Sequence, residues 1–333
     1  MTSRAEVVVS GMRPTGRLHL GNYWGALKNW VDLQSRHRCY FFVADWHMLT
    51  TGYEDTSKLR DNTREMVLDW LAAGLEPDKC VIFRQSDVLE HAELALLLGM
   101  ITSLGWLENN PTWKDQLEQL ADRDVRTFGF LGYPILQTAD VLLYRGTRVP
   151  VGQDQLPHLE LSREIARRFN GIYGETFPEP QPILTATPKL PGVDGRKMSK
   201  SYGNTLEIYE TQESLGSKIK NMYTDPKKLR KNTPGNPDPG PENPPGCVVY
   251  ALHKLYTPEW EKIGDACRKG ELGCMDDKRH LTQVLDKPFA EFRGARERYS
   301  AEDVENILSK GAEKAREVAA ATMSDVRRAM RLR

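Results

Sequence analysis

Two short stretches carry residue types that could handle a phosphorylated ligand. The first, residues 14–22 (PTGRLHLGN), follows a β-branched run at 7–10 (VVVS) and opens a helix-like segment at 21–34. In open α/β sheets this is where ligands bind, beyond the carboxyl end of a strand. Pro14 and Thr15 lead into Gly16, which permits a tight turn. His19 offers a ring N–H to an anionic oxygen. Gly21 lets a ligand approach the backbone, Asn22 adds an amide donor, and a helix N-terminus favours phosphate. An ordinary strand-to-helix loop would also use Pro and Gly here. The second stretch, residues 196–204 (RKMSKSYGN), sets Lys197 and Lys200 three apart, with Met198 and two serines between Gly195 and Gly203. Such a cationic loop could move onto a triphosphate and neutralise a leaving group. Two lysines alone would equally make a solvated basic loop. A third candidate is a single carboxylate, Asp140, inside the apolar segment YPILQTADVLLY at 133–144. Burying it is costly without a donor, and the nearest cationic side chain in sequence is Arg145.

The elements that must position these groups alternate. Strand-like runs fall at 7–10, 39–45 and 80–86, and helix-like ones at 21–34, 57–73 and 92–104. In the 57–73 segment Leu59, Met66, Val67, Trp70 and Leu71 recur at helical spacing. Thr56 or Ser57 is a candidate cap at its start, and Gly74 a stop. A polar stretch at 106–126 reads as an insertion. The sheet then resumes with a strand at 148–151 (RVPV) and a helix at 155–170. Apolar strands alternating with helices predict an α/β fold: a Rossmann-like, doubly wound parallel sheet covered on both faces. Seven prolines in the 20 residues 226–245 mark a loop, and the rest of the chain carries helical periodicity without a convincing strand. The expected division is therefore 1–189, a Rossmann-like sheet domain, and 190–333, a smaller, mostly helical domain.

Composition narrows the classes. The 333 residues hold 46 Lys and Arg against 46 Asp and Glu, so the net charge is zero. That excludes a protein coating nucleic acid by bulk electrostatics and leaves a local basic face open. Lys218, Lys220, Lys227, Lys228, Arg230 and Lys231 crowd one segment; Arg327, Arg328, Arg331 and Arg333 crowd another. No run approaches the roughly 20 apolar residues of a membrane span, and neither terminus shows a targeting layout. Five scattered cysteines fit a reducing cytoplasm.

Together the two stretches resemble the paired signatures of class I aminoacyl-tRNA synthetases. KMSKS matches that family's motif at all five positions, about 180 residues after His19-Leu20-Gly21-Asn22, a variant of its His-Ile-Gly-His signature. The resemblance is to the tryptophanyl branch. SGMRPTGRLHLGNYWGAL, VADWH, YPILQTADVLLY, VPVGQDQLPHLELSREIARRFN and RKMSKSYGN stand in that branch's order.

The resemblance implies a two-step reaction. L-Tryptophan is activated with ATP and Mg²⁺ to tryptophanyl-adenylate and pyrophosphate, then transferred to the 3′ end of tRNA(Trp). It implies that Lys197, Lys200, His19 and Asn22 are catalytic, and that ATP is bound by Arg13, Pro14, Thr15, Gly21, Asn22, Gly152, Asp154, Lys197, Met198 and Lys200. For tryptophan it implies Asp140 as acceptor of the indole N–H, Tyr133 and Gln155 on the ammonium, and Gln137, His47, Val9, Val149 and Val151 around the ring. It further implies a homodimer built through an insertion at about 105–145, anticodon contacts in the helical domain, and a last helix packing back on the catalytic domain.

Four positions depart from the usual pattern: Gln137 where many tryptophanyl enzymes have Met, Arg13 for Gln, Gln116 for Lys, and Gln153 for an acid. A Gln-x-x-Asp pair is also how the tyrosyl branch holds its substrate. A tyrosyl-type enzyme, or a divergent synthetase-like paralogue with a binding or regulatory role, is therefore the alternative. Cys247, Cys267 and Cys274 have the spacing of an iron–sulfur set found in some tryptophanyl synthetases. Asp277 stands in the fourth place, so no cluster is expected. No protein-only metal cage is expected either.

Overall fold

The computed structural model describes residues 6–110, 113, 127–184, 190–241 and 243–332. Its centre is a five-stranded, all-parallel sheet. The strands are β1 (Val7–Met12), β2 (Arg38–Val43), β3 (Cys80–Arg84), β4 (Arg148–Val151) and β5 (Gln181–Leu184). Their order is β3-β2-β1-β4-β5. β1 and β2 run in register from Val7↔Arg38 to Met12↔Val43, and β2 continues onto β3 through Cys39↔Cys80. Every residue of β2 after Arg38 is buried, as its unbroken apolar run predicts. The order reverses direction between β1 and β4, which makes a crevice beyond their carboxyl ends the favoured ligand position.

The 39–45 run is shorter as a strand than expected. It ends at Val43, and Asp45 already opens a helix, α3 (Asp45–Gly52), which follows α1 (Leu20–Asn22) and α2 (Lys28–Leu33) in the chain. β5 was not expected from the sequence. It has four residues, one of them Pro182, and it sits at the sheet edge, where a missing N–H does least harm. The expected helix at 57–73 is present as α4 (Leu59–Ala72), but neither Thr56 nor Ser57 caps it; Lys58 stands at the N-cap, without a side-chain bond. The 92–104 segment is α5 (Glu90–Gly99), and α6 (Leu104–Glu108) starts separately after it. The apolar segment that holds Asp140 belongs to α7 (Phe128–Leu143), capped by the Thr127 hydroxyl, which accepts from the Phe130 N–H at 3.2 Å. α8 (Leu156–Tyr173) follows β4.

The chain forms two compact units that interleave in sequence. The first contains Met1–Arg17, Ala26–Ala186 and Tyr299–Arg333; the second contains Leu18–Gly25 and Thr187–Arg298. The sequence reading placed a single cut at 189/190. The first unit takes in α13 (Ala301–Ala329), which packs along β3 so closely that a Cβ on Gly311 would stand 1.8 Å from the Ile82 carbonyl oxygen. Arg84 pairs with Glu305 at 2.9 Å and Arg145 with Asp325, fastening the same helix. The second unit is built from α9 (Gln212–Lys220), α10 (Val248–Tyr256), α11 (Trp260–Lys269) and α12 (Cys274–Arg296). Leu215, Ile219, Val249, Leu252, Leu281, Leu285 and Phe289 are among its buried side chains. The Lys278 ammonium donates to the carbonyls of Lys220 and Met222 at 2.9 and 2.7 Å, satisfying chain-end acceptors beyond α9.

Candidate active site

In the first unit the chemistry centres on Asp140, which is 1% exposed on α7. It does not pair with Arg145, the alternative left open by the sequence, since that guanidinium goes to Asp325. Three other side chains surround it. Gln85 Nε2 donates to Oδ1 at 2.7 Å, His91 Nδ1 meets the same oxygen at 2.7 Å, and His47 Nε2 meets Oδ2 at 2.8 Å. Burial pushes the carboxyl up, but the charge and hydrogen bonds of His47 and His91 outweigh it and hold Asp140 down at about 2. His91 in turn holds the Tyr144 hydroxyl through Nε2 at 2.7 Å. Gln85 and His91 were not found by sequence reasoning, because they come from separate elements with no shared spacing.

Of the other expected tryptophan contacts, His47 and Tyr133 lie beside this cluster, their rings 6.3 Å apart. Burial pushes the Tyr133 phenol up to about 12, the Arg13 charge offsetting it only in part. Its hydroxyl lies 3.0 Å from Nε2 of His158, a buried side chain the sequence reading also missed. Gln137 is half-buried one helical turn before Asp140. Val9 belongs to the main core, while Val149 and Val151 form a smaller cluster with Val141 and Leu159. Gln155 stands at the N-cap of α8, without a side-chain cap bond, at the end of a short 3₁₀ turn, Gln153–Gln155, with Gly152 before it. Arg13, Pro14 and Thr15 leave β1; the Arg13 guanidinium donates to the Thr51 hydroxyl. The Asp154 side chain, Arg333 and all of Gln116 lie outside the described residues.

In the second unit the two signature stretches are joined. His19 forms an antiparallel bridge with Glu207, and the Leu20 N–H donates to the Leu206 carbonyl at 2.8 Å, only a few residues beyond Lys200. Trp24 Nε1 donates to the Tyr256 hydroxyl at 3.0 Å, tying the helix opened by the first stretch to α10. The His19 N–H donates to Asn22 Oδ1 at 3.2 Å. A Cβ on Gly21 would lie 2.9 Å from the His19 ring and 3.8 Å from Met198 Sδ. Met198 is buried, while Lys197 and Lys200 are exposed.

The lysine loop is held by a residue the sequence reading did not single out as a site: Asn204. It is 2% exposed. Its Nδ2 donates to Asp194 Oδ1 at 2.7 Å and to the Lys197 carbonyl at 3.1 Å, and its Oδ1 accepts from the Ser199 N–H at 2.8 Å. A Cβ on Gly192 would stand 2.2 Å from that amide, so only glycine fits there.

His19 is electrostatically tuned. Burial, and then the Lys200 charge, lower its pKa from 6.5 to about 4. The ring is therefore neutral near pH 7 and donates one N–H without carrying charge. In NMR titrations its ring signals are expected to hold still between about pH 5 and 8. A midpoint near the ordinary 6.5 would refute the stated environment. Because the folded value lies below the unfolded one, the unfolded chain binds the extra proton in this window. His19 therefore costs stability as pH falls from 6.5 toward about 4.

The family model for class I tRNA synthetases (W and Y) matches residues 1–290. The chain is 45% identical to the tryptophan–tRNA ligase of Aquifex aeolicus, covering 98% of this chain and 99% of that one. It is 48% identical to that of Thermotoga maritima, again over 98% and 99%. Among solved structures, the tryptophanyl-tRNA synthetase of Campylobacter jejuni, complexed with ADP and tryptophan, aligns with a TM-score of 0.84. It is 32% identical and covers 97% of this chain and 99% of its own. The chain belongs to the class I tRNA synthetases of the W and Y type.

Several features beyond the signatures gain meaning in a class I synthetase. The basic clusters are partly spent on ion pairs. Lys218 pairs with Glu210, Lys231 with Asp276 at 2.9 Å, Arg327 with Glu93, and Arg328 with Asp325 at 3.2 Å. Lys228 donates to the carbonyls of Lys231 and Thr233. Lys220, Lys227 and Arg230 remain exposed. The first unit also carries an apolar groove of about 730 Å³, lined by Leu49, Leu96, Met100, Leu104, Phe128 and Leu136 among others. Phe128 is 89% and Met100 70% exposed, an unusual cost for a solvated surface. Cys247, Cys267, Cys274 and Asp277 line one small cavity of the second unit. Among the described residues, no helix is long and apolar enough to cross a membrane.

Proposed function

We propose that the chain is a tryptophan–tRNA ligase. The similarity to ligases of that name over nearly the whole of both chains carries this reading. The substrates are L-tryptophan, ATP as its Mg²⁺ complex, and tRNA(Trp). The tryptophan carboxylate attacks the α-phosphorus, pyrophosphate leaves, and the terminal ribose hydroxyl of the tRNA then takes the aminoacyl group from the adenylate, releasing AMP. Positioning and charge neutralisation do most of the work in the first step.

In this reading Asp140 accepts the indole N–H through Oδ2, whose other partner is His47. Tyr133 and Gln155 hold the ammonium, and Gln137, His47, Val9, Val149 and Val151 border the ring. Arg13, Pro14, Thr15, Gly152 and Asp154 serve the nucleotide, and His19, Gly21, Asn22, Lys197, Met198 and Lys200 serve its phosphates. Lys220 and Arg230 are among the exposed basic side chains that would meet a tRNA backbone, a local and salt-sensitive footprint. The apolar groove is covered by a second copy in a homodimer, and the enzyme works in the cytoplasm. No iron–sulfur cluster forms: three thiols converge with Asp277, one thiolate short of the usual four.

Exchange of labelled pyrophosphate into ATP tests the reading when run with tryptophan, with tyrosine and with no amino acid. Tryptophan alone is expected to support it. Exchange driven by tyrosine and not tryptophan would make this a tyrosyl enzyme. No exchange with either would favour a retired paralogue.

A further inference from the structure

A second constellation, in the helical unit, uses none of the groups given to ATP and tryptophan. Asp277 and His280 stand three apart on α12, one turn along the same face. His253 projects from α10. One ligand-capable atom from each of the three lies within 4.8 Å of the others. His253 is 0% and Asp277 8% exposed, while His280 is exposed.

The inner pair is poorly explained as a hydrogen bond. His253 Nε2 and Asp277 Oδ1 are 3.1 Å apart, yet their angles make no hydrogen bond, and among the described groups neither atom has another. His253 Nδ1 lies 2.7 Å from the Thr257 hydroxyl. With Nδ1–H donating there, Nε2 turns a bare lone pair toward a carboxylate oxygen. Two buried acceptors then face each other with nothing between them, an arrangement that costs energy unless something positive bridges them.

A cation supplies that bridge. Ligands about 2.0–2.1 Å from a tetrahedral ion sit roughly 3.3 Å from one another, close to the spacing already present. With Nδ1–H donating, the Thr257 contact would act as the outer hydrogen bond that orients a metal-bound imidazole. Lys278, the adjoining cation, is turned away onto the carbonyls of Lys220 and Met222.

We propose that His253, Asp277 and His280 form a three-ligand site for a divalent ion of the zinc class, with a fourth position open to water, and that the ion clips α10 to α12. His280, exposed on α12, completes the set by a side-chain rotation. The cysteine cavity is a neighbour that shares Asp277 and is not the proposed ligand set. Burial pushes the Cys247 thiol up to about 12, which disfavours the thiolate a metal would need. This inference is independent of the ligase reading.

The full chain, stripped with chelator, is titrated with Co²⁺ and Zn²⁺. One ion per chain is expected, with visible Co²⁺ bands but no near-ultraviolet thiolate-to-cobalt band, and Zn²⁺ should raise Tm. His280→Ala, a surface change that should leave folding and pyrophosphate exchange intact, should weaken Zn²⁺ binding by about tenfold or more and abolish the Tm shift. Asp277→Asn should act in the same direction. A chain that shows neither a Co²⁺ spectrum nor a Tm shift at stoichiometric metal overturns the proposal. So does a strong thiolate band with His280→Ala binding as the parent does, since that places the ion on the cysteines.

Discussion

Lys200→Ala is expected to lower tryptophan-dependent ATP–pyrophosphate exchange by about 10²- to 10³-fold, the usual loss when one preorganised group on a developing charge is removed. Tryptophan affinity should survive, because the Asp140 cluster has no part in the lysine loop. Lys200 is exposed at the start of a 3₁₀ turn, so the change should also leave the fold intact. The loop backbone is held by Asn204 through Asp194, Lys197 and Ser199. A second readout separates lost charge from lost shape. The Lys200 charge is one of the two causes depressing His19, so its removal should move the His19 midpoint upward from about 4, with burial still holding it below 6.5. Exchange measured at parental rate, with tryptophan binding also unchanged, would remove Lys200 from the pyrophosphate role.

How much of this was legible beforehand depends on how local each signal is. β2 announced itself through an unbroken apolar run, and β4 through the RVPV segment that the structure reproduces residue for residue. β5 did not, since four residues with a proline become a strand only because β4 lies beside them. The signature stretches were legible as motifs. Their junction through Leu20 and Leu206 was not, because a backbone bond between residues 186 apart in sequence leaves no periodicity. The partners of Asp140 illustrate the same limit. His47, Gln85 and His91 are 93, 55 and 49 positions away, and nothing in their spacing marks them as one cluster. Charge counting failed in the other direction. Arg327 looked like a nucleic-acid contact until the fold placed Glu93, 234 residues earlier, against it. The return of the last helix to the sheet leaves no local signal either: only the family resemblance implied it, and its contact with β3 depends on one bare glycine, Gly311.

Asp140→Asn is the second large effect, and its direction follows from counting donors. The carboxylate has about four lone-pair positions and only acceptors. Gln85 and His91 use Oδ1, and His47 uses one position on Oδ2, so one remains for a substrate N–H. Asparagine is nearly isosteric but keeps a single oxygen. Oriented to satisfy the two donors at Oδ1, it turns its NH₂ toward the place proposed for the indole N–H, donor against donor. Turned the other way, it faces Gln85 with an NH₂ inside the core. Either orientation leaves a buried polar group unsatisfied, and kcat/KM for tryptophan should fall by about 10²- to 10³-fold, equivalent to about 3–4 kcal/mol. Selectivity against phenylalanine should shrink with it, since the acceptor that penalises a missing N–H is gone. The pH behaviour gives a separate check. The folded carboxyl, at about 2, lies below its ordinary 3.8, so its stabilising contribution is complete above 3.8 and is lost as pH falls toward 2. The parent should therefore show a steeper loss of stability than the variant in that acid window, and no Asp140-dependent change in tryptophan activation near neutrality. Parental kcat/KM for tryptophan in a variant with parental Tm would show that Asp140 organises the core around His47 and His91 without reading the substrate.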